Sequence, residues 1–226
     1  NYHRMTFAER AGFEIRESSV EELAALCERL AEELNQAAQE ITVGSQGSLV
    51  ITGDLEAEAV KAMQAAGEEY PELAGYYPRP KPVAGYWILS YQQLQGIYSP
   101  FTVEANYNSD MPEQDKPSTL CHELSHLKGF MREDEANFIA YLACRVSDHA
   151  AFRYSGALLA WIYSGNALYD ALETYARKGY YSQDRQERRK GRDIIWYIWA
   201  GSNSPVFGKD KMATFESIFI GDADLK

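Results

Sequence analysis

Two histidines separated by three residues are the feature that most constrains this sequence. They stand at the ends of His122-Glu123-Leu124-Ser125-His126. Side chains four positions apart in an α-helix lie on the same face, one turn above the other. Both imidazoles can therefore reach one ion, and zinc binds nitrogen ligands at about 2.0–2.1 Å. Glu123 would lie beside that ion, where its carboxylate can take a proton from water and pass it on. The motif predicts a helix with a Zn²⁺ site and Glu123 as general base.

A catalytic zinc site needs a third protein ligand and one open position. The candidates are the acids that follow the motif. Gly129 is placed to end the motif helix in a left-handed cap and to let the chain reverse. Glu133 then falls in the first turn of the returning helix, within reach of the histidines. The predicted metal ligands are His122, His126 and Glu133.

Other assignments stay open at this point. Glu135 ranks second as third ligand and Asp134 ranks third, while His149 is expected to be structural or solvent-facing. Asn137 is four residues after Glu133, so it shares that helix face and could orient a ligand histidine. Acids at a helix N-terminus also need no metal, because they interact favourably with the helix dipole.

Composition excludes several classes of protein. The chain of 226 residues has 33 acidic and 22 basic side chains, a net charge of −11, which argues against a nucleic-acid partner. It has no run of about 18 apolar residues that would cross a membrane. Its three cysteines, Cys27, Cys121 and Cys144, form no disulfide framework. Their redox state and the oligomeric state are not predicted.

Periodicity favours a mostly helical α+β fold with a small sheet. Residues 1–17 are expected to be an irregular lead-in, and 85–98 to hold a short strand. Residues 97–108 read as an extended segment, and Pro100 within it confines such a strand to an edge or a bulge. The histidine motif resembles that of zincins, in which the edge strand above the motif helix pairs with extended substrate, and this resemblance makes Phe101 to Asn108 the candidate substrate-binding edge. Helices are expected at 20–41, 55–68, 117–128, 133–147, 151–174 and 182–199.

Several longer segments resemble one bacterial family of membrane proteins, known as domain of unknown function 3810. The matching segments are Cys121 to Phe130, Arg132 to Phe138, Gly96 to Asn106, Phe152 to Gly156, and Asn1-Tyr2. Members of that family carry hydrophobic N-terminal segments that this chain lacks. The resemblance implies a soluble portion of a longer protein, anchored at the extracytoplasmic face of the cell membrane.

The run Glu133-x-x-Ala136-Asn137 is also similar to the E-x-x-A-D/N pattern of glutamate zincins, in which the glutamate binds zinc. The resulting hypothesis is a single zincin-like catalytic domain over 1–226. It would hydrolyse peptide or protein substrates as a zinc metallopeptidase. Arg153 and Tyr154 could steady an oxyanion or pack between helices, and Glu104 could line the cleft or face solvent.

Two hypotheses from other classes stand beside the enzyme. One is a zinc-stabilised binding or sensory domain that keeps the metal and cleaves nothing. The other is a metal-free helical interaction module, in which the acids only cap a helix. Zinc content separates the metal-free module from the enzyme and from the zinc-stabilised domain.

Overall fold

Short strands and long helices alternate along the part of the chain that the structure describes. This computed structural model describes residues 5–45, 47–180, 183–186 and 189. The helices are α1 (Phe7–Ala11), α2 (Val20–Glu40), α3 (Leu55–Glu69), a 3₁₀ turn (Pro71–Leu73), α4 (Tyr86–Tyr91), α5 (Lys116–Leu127), α6 (Glu133–Arg145) and α7 (Ala150–Tyr180). The strands are β1 (Thr42–Val43), β2 (Leu49–Val50), β3 (Lys81–Pro82), β4 (Gly96–Ser99) and β5 (Glu104–Tyr107). The mostly helical α+β class with small sheets is thus confirmed.

The chain divides into two compact units, 1–164 and 165–226. In the second unit, the described residues are the last part of α7 together with 183–186 and 189. The helix expected at 182–199 lies mostly outside the described residues. One catalytic domain over 1–226 stays a prediction.

Side-chain caps fix where the first two helices begin. At α2, Ser19 accepts a hydrogen bond from the Glu22 backbone, and the Glu22 carboxylate accepts one from the Ser19 backbone. Thr6 and Glu9 form the same reciprocal pair at α1, and Gly12 ends that helix with φ 73°. Such a capping box satisfies two backbone N–H groups that would otherwise lack partners. An irregular lead-in over 1–17 was therefore wrong for α1.

The three-stranded sheet has the order β3-β5-β4. β4 and β5 are antiparallel, with Gly96 opposite Tyr107, whereas β3 and β5 are parallel. Pro100 lies in the turn between β4 and β5, so the extended segment folds into a hairpin. β5 is therefore paired on both sides, and the prediction that 101–108 forms the sheet edge was wrong. The edge strands are β3 and β4.

Small side chains let α5 and α6 pack closely. Ser125 is fully buried, and its hydroxyl lies 3.5 Å from the Ala136 carbonyl oxygen. The Cys121 and Cys144 sulfurs are 3.9 Å apart, and both thiols are free and buried. Gly129, with φ 83°, reverses the chain between these helices as predicted.

The hydrophobic core lies on the other face of α5. Leu120 and Leu124 have no exposed surface and belong to one core cluster with Ala62 and Met63 of α3. Burying side chains of this size stabilises the fold by about 1.5–3 kcal/mol each. The core fixes the axis of α5, and with it the direction in which its polar face points.

The aromatic segment after Gly85 differs from the prediction. It contains α4 before it reaches β4, where a short strand alone was expected for 85–98. Gly85 begins α4 in a left-handed conformation, with φ 86°. Asn108 then holds the α4–β4 connection, since its side chain donates to the Ser90 hydroxyl and the Leu94 carbonyl.

Candidate metal centre

The two histidines of the motif point their Nε2 atoms at each other. The nitrogens of His122 and His126 are 3.1 Å apart. Both residues lie on α5, one turn apart, and their side chains are 14 % and 9 % exposed. The predicted shared face is therefore present and is largely shielded from water.

The hydrogen bonds behind the rings determine which nitrogen carries the proton. Nδ1 of His126 lies 2.7 Å from the carbonyl oxygen of Phe130, which can only accept. Nδ1 of His122 lies 2.8 Å from the Asn137 amide oxygen. With Nδ1 as the donor, a neutral imidazole carries its lone pair on Nε2. Two lone pairs at this distance repel each other, and a cation between them removes the repulsion.

The environment of His122 also favours its neutral form. Burial, followed by the proximity of His126, lowers the pKa of His122, while Glu133 and Asn137 act in the opposite direction. A neutral imidazole is the form that binds a metal.

Glu133 closes the third side of the centre. Its carboxylate oxygens lie 3.0 Å from Nε2 of His122 and 3.8 Å from Nε2 of His126. Its side chain is 76 % exposed, so it covers the histidines from the solvent side. The other two candidates are engaged elsewhere. Glu135 accepts a hydrogen bond from the backbone of Phe7, and Asp134 pairs with Arg132.

These three side chains fit a tetrahedral metal ion. Bonds of about 2.0–2.1 Å place neighbouring ligand atoms about 3.4 Å apart in such a site. The observed separations of 3.0, 3.1 and 3.8 Å bracket that value. Ligand atoms of His122, Glu123 and His126 also lie within 4.8 Å of one another. We favour Glu133 over Glu123 as the third ligand because its carboxylate contacts both imidazoles.

Glu123 is a buried carboxylate beside this centre. It is 6 % exposed, and its Oε2 has no hydrogen-bond partner among the described residues. Burial, and secondarily the charge of Glu133, raises the pKa of Glu123 to about 8. A group with a pKa near neutrality can both take and return a proton. This placement suits the predicted general base, and the assignments of His122, Glu123, His126 and Glu133 stay predictions.

A cleft of about 280 Å³ opens onto the centre. Its walls combine amides, hydroxyls and apolar side chains, and no Lys or Arg of the described part of the chain lines it. The lining residues are Gln93, Leu94, Gln95, Gly96, Ser118, Thr119, His122, Glu123, Glu133, Asn137, Leu159 and Tyr163. Among the described residues, the charged side chains at the cleft are therefore those of the centre itself.

Three residues considered from the sequence have other contacts. His149 bonds through Nε2 to the Thr52 carbonyl, which makes it structural. Arg153 donates to the Ser147 carbonyl and pairs with Glu40 on α2, so its guanidinium is not an oxyanion partner. Glu104 pairs with Lys81 across the sheet.

Two contributors to the centre were not predicted. The Phe130 contact uses a backbone carbonyl, which leaves no trace in the residue type. Gly96 of β4 lies directly against the Glu123 side chain. A glycine inside a strand is a sequence signal for close approach of another group, and it could have been used here.

Relatives with curated names match a short part of the chain. A fructose-1,6-bisphosphatase class 3 from Clostridium beijerinckii is 44 % identical over 62 residues, which is 27 % of this chain and 9 % of that protein. Proteins of the same name match from Alkaliphilus metalliredigens (48 % over 63 residues, 27 % and 10 %) and Fusobacterium nucleatum (51 % over 61 residues, 26 % and 10 %). The chain thus spans about a tenth of the length of these relatives. No solved structure matches.

These relatives correct the predicted function. They are named as phosphatases that act on a sugar bisphosphate, which contradicts the zinc metallopeptidase predicted from the motif. The physical reason is that H-E-x-x-H specifies a metal and a base but not the bond that is cleaved.

No helix among the described residues is long and apolar enough to cross a membrane, and the expected extracytoplasmic anchoring stays a prediction. The protein-family model described as "Protein of unknown function (DUF3810)" matches residues 1–197, which is most of the chain. The chain therefore belongs to the DUF3810 family.

Proposed function

We propose that this chain is a metal-dependent hydrolase. One observation carries the proposal. The Nε2 atoms of His122 and His126 lie 3.1 Å apart, with the Glu133 carboxylate on their third side and the buried Glu123 carboxylate next to them. His122, His126 and Glu133 would hold the ion. Two imidazoles and one carboxylate form a donor set that suits Zn²⁺.

The ion and the protein would divide the chemistry. A bound divalent cation would supply Lewis acidity, polarising the bond to be cleaved and lowering the pKa of water toward 7. Glu123 takes a proton from the attacking water on its carboxylate and returns it to the leaving group. Asn137 and the Phe130 carbonyl hold the two imidazoles in the tautomer that keeps Nε2 free.

The proposal includes the finer architecture of the centre. α5 supplies two ligands and the base, and α6 supplies the third ligand after a reversal over residues 128–132. The β4 edge closes the opposite side. We propose that this is a zincin-like arrangement within residues 1–164.

The names of the relatives and the residues that line the cleft indicate which substrates to assay first. The relatives' name makes fructose 1,6-bisphosphate the first substrate to assay. Because none of the lysines and arginines that the structure describes lines the cleft, the described residues would leave the charge of a phosphate group to the metal ion. An uncharged ester, p-nitrophenyl acetate, is the matched probe that does not need that compensation.

The test compares metal content and hydrolysis in three proteins. Wild type should hold about one Zn²⁺ per chain. Glu123→Gln should keep the metal and lose about 10²–10⁴-fold in turnover, because it cannot accept a proton. Glu135→Gln is the control, since it makes the same chemical change on a carboxylate that accepts a hydrogen bond from the Phe7 backbone at the start of α1. Wild type without metal after supplementation, or full turnover in Glu123→Gln, would contradict the proposal.

A further inference from the structure

Gly96 stands where the edge strand meets the buried carboxylate of Glu123. A Cβ added at position 96 would lie 2.4 Å from Oε1, 2.7 Å from Cδ and 2.7 Å from Cγ of Glu123. Real Cβ atoms essentially never lie within 3.0 Å of another heavy atom. Only a residue without a side chain allows Glu123 to occupy its present position.

The backbone of Gly96 does not itself require glycine. The described glycines with positive φ do not include Gly96, which pairs in ordinary antiparallel register with Tyr107. A glycine in a strand costs stability, because it gains no packing and loses more conformational entropy than other residues. The close approach of Glu123 is the feature that explains this glycine.

The strand cannot easily move away from α5. The Gln95 side chain bridges to the helix, donating to Asp115 and accepting from Thr119, each at 3.4 Å. The Gln95 carbonyl also accepts a hydrogen bond of 2.7 Å from the Asn108 backbone. The wall formed by Gly96 is thereby held at a set distance from the helix that carries Glu123.

We propose that Gly96 is a positioning residue, whose bare backbone determines where the Glu123 carboxylate lies relative to the metal ligands. The inference rests on the proposed function and deepens it. Glu123 is a flexible side chain, so it would yield to a larger residue at position 96. The backbone and the three metal ligands would stay in place. A small change in β4 then displaces the proton carrier and leaves the metal bound.

The experiment compares Gly96→Ala with Gly165→Ala. The second variant adds the same methyl group where nothing lies within 4 Å. In Gly96→Ala, kcat should fall about 100-fold, the loss expected when a reacting group is displaced by about 1 Å. Zn²⁺ content and KM should stay within twofold of wild type. Gly165→Ala should match wild type in all three measurements.

A second measurement does not depend on hydrolysis. Urea unfolding of metal-free protein is followed for Gly96→Ala in the wild-type background and in the Glu123→Ala background. The added methyl should lower the urea midpoint in the first background and not in the second, where the clashing side chain is gone. Equal shifts in both backgrounds would overturn the positioning role, as would unchanged kcat in Gly96→Ala. If wild type hydrolyses none of the probes, the proposed function fails, while the unfolding cycle still decides the role of Gly96.

Discussion

The buried carboxylate of Glu123 should make the metal-free protein less stable as pH rises. The pKa of Glu123 is about 8 in the folded chain, against 4.5 for an unperturbed glutamate. Between those values the folded chain holds a proton that the unfolded chain has lost. The contribution of this proton to the free energy of unfolding is therefore fully present below pH 4.5 and is lost as pH rises through 8. From pH 6.5 to 8.5 the loss works out at about 2 kcal/mol.

The perturbation is Glu123→Gln, which keeps the shape and removes the titration. Other groups also change their protonation with pH, His122 with its lowered pKa among them, but these groups are shared by both proteins. The measured quantity is thus the difference between wild type and variant in free energy of unfolding, with EDTA present. With an m-value of about 2 kcal/mol per molar urea, the wild-type midpoint should fall by about 1 M more than that of the variant.

Far-UV circular dichroism at several urea concentrations and two pH values is sufficient for this assay. Parallel loss of stability in both proteins would refute the reasoning, because it would show that Glu123 is ionised and solvated in the folded chain. A variant that loses stability faster than wild type would reverse the sign of the effect. Either result would also remove the basis for treating Glu123 as a proton carrier.

Three other substitutions test separate parts of the structure. Asn137→Ala removes the partner of His122 Nδ1 and should weaken Zn²⁺ binding about 10–100-fold in a chelator competition; unchanged affinity would contradict that role. Glu135→Ala should keep the metal but lower the free energy of unfolding by about 1 kcal/mol, since it removes the acceptor of the Phe7 backbone N–H at the start of α1; loss of metal would instead make it a ligand. Leu124→Ala should cost about 3 kcal/mol in urea unfolding, because the side chain has no exposed surface; a cost below about 1 kcal/mol would contradict the core packing.

The parts of the site that could be predicted are local in sequence. The shared face of His122 and His126 follows from helix geometry alone. Gly129 marks the reversal, so Glu133 and Asn137 fall on the returning helix near those imidazoles. Their contacts span at most 15 residues, and a short connection between two helices leaves few ways to arrange them.

The parts that could not be predicted depend on contacts distant in sequence. The hydrogen bond between the Phe7 backbone and Glu135 joins residues 128 positions apart, and it removes Glu135 from the candidate ligands. β5 became the central strand through pairing with β3, which the pattern of 97–108 does not reveal. The aromatic run in α4 has strand propensity, yet it forms a six-residue helix, of which Leu89 is the buried residue.

The two faces of α5 serve different purposes, and substitutions on them should separate stability from binding. Leu120 and Leu124 point into the core, so their truncation should lower stability first and metal binding only through unfolding. His122 and His126 point toward α6, so their truncation should remove the metal while the core stays packed. Glu123 differs from both groups, because burial of its carboxylate costs stability, and the proposed function uses that carboxylate to carry a proton. A protein selected only for stability would not keep an ionisable carboxylate there, and its presence is the physical reason to regard this helix as part of an active site.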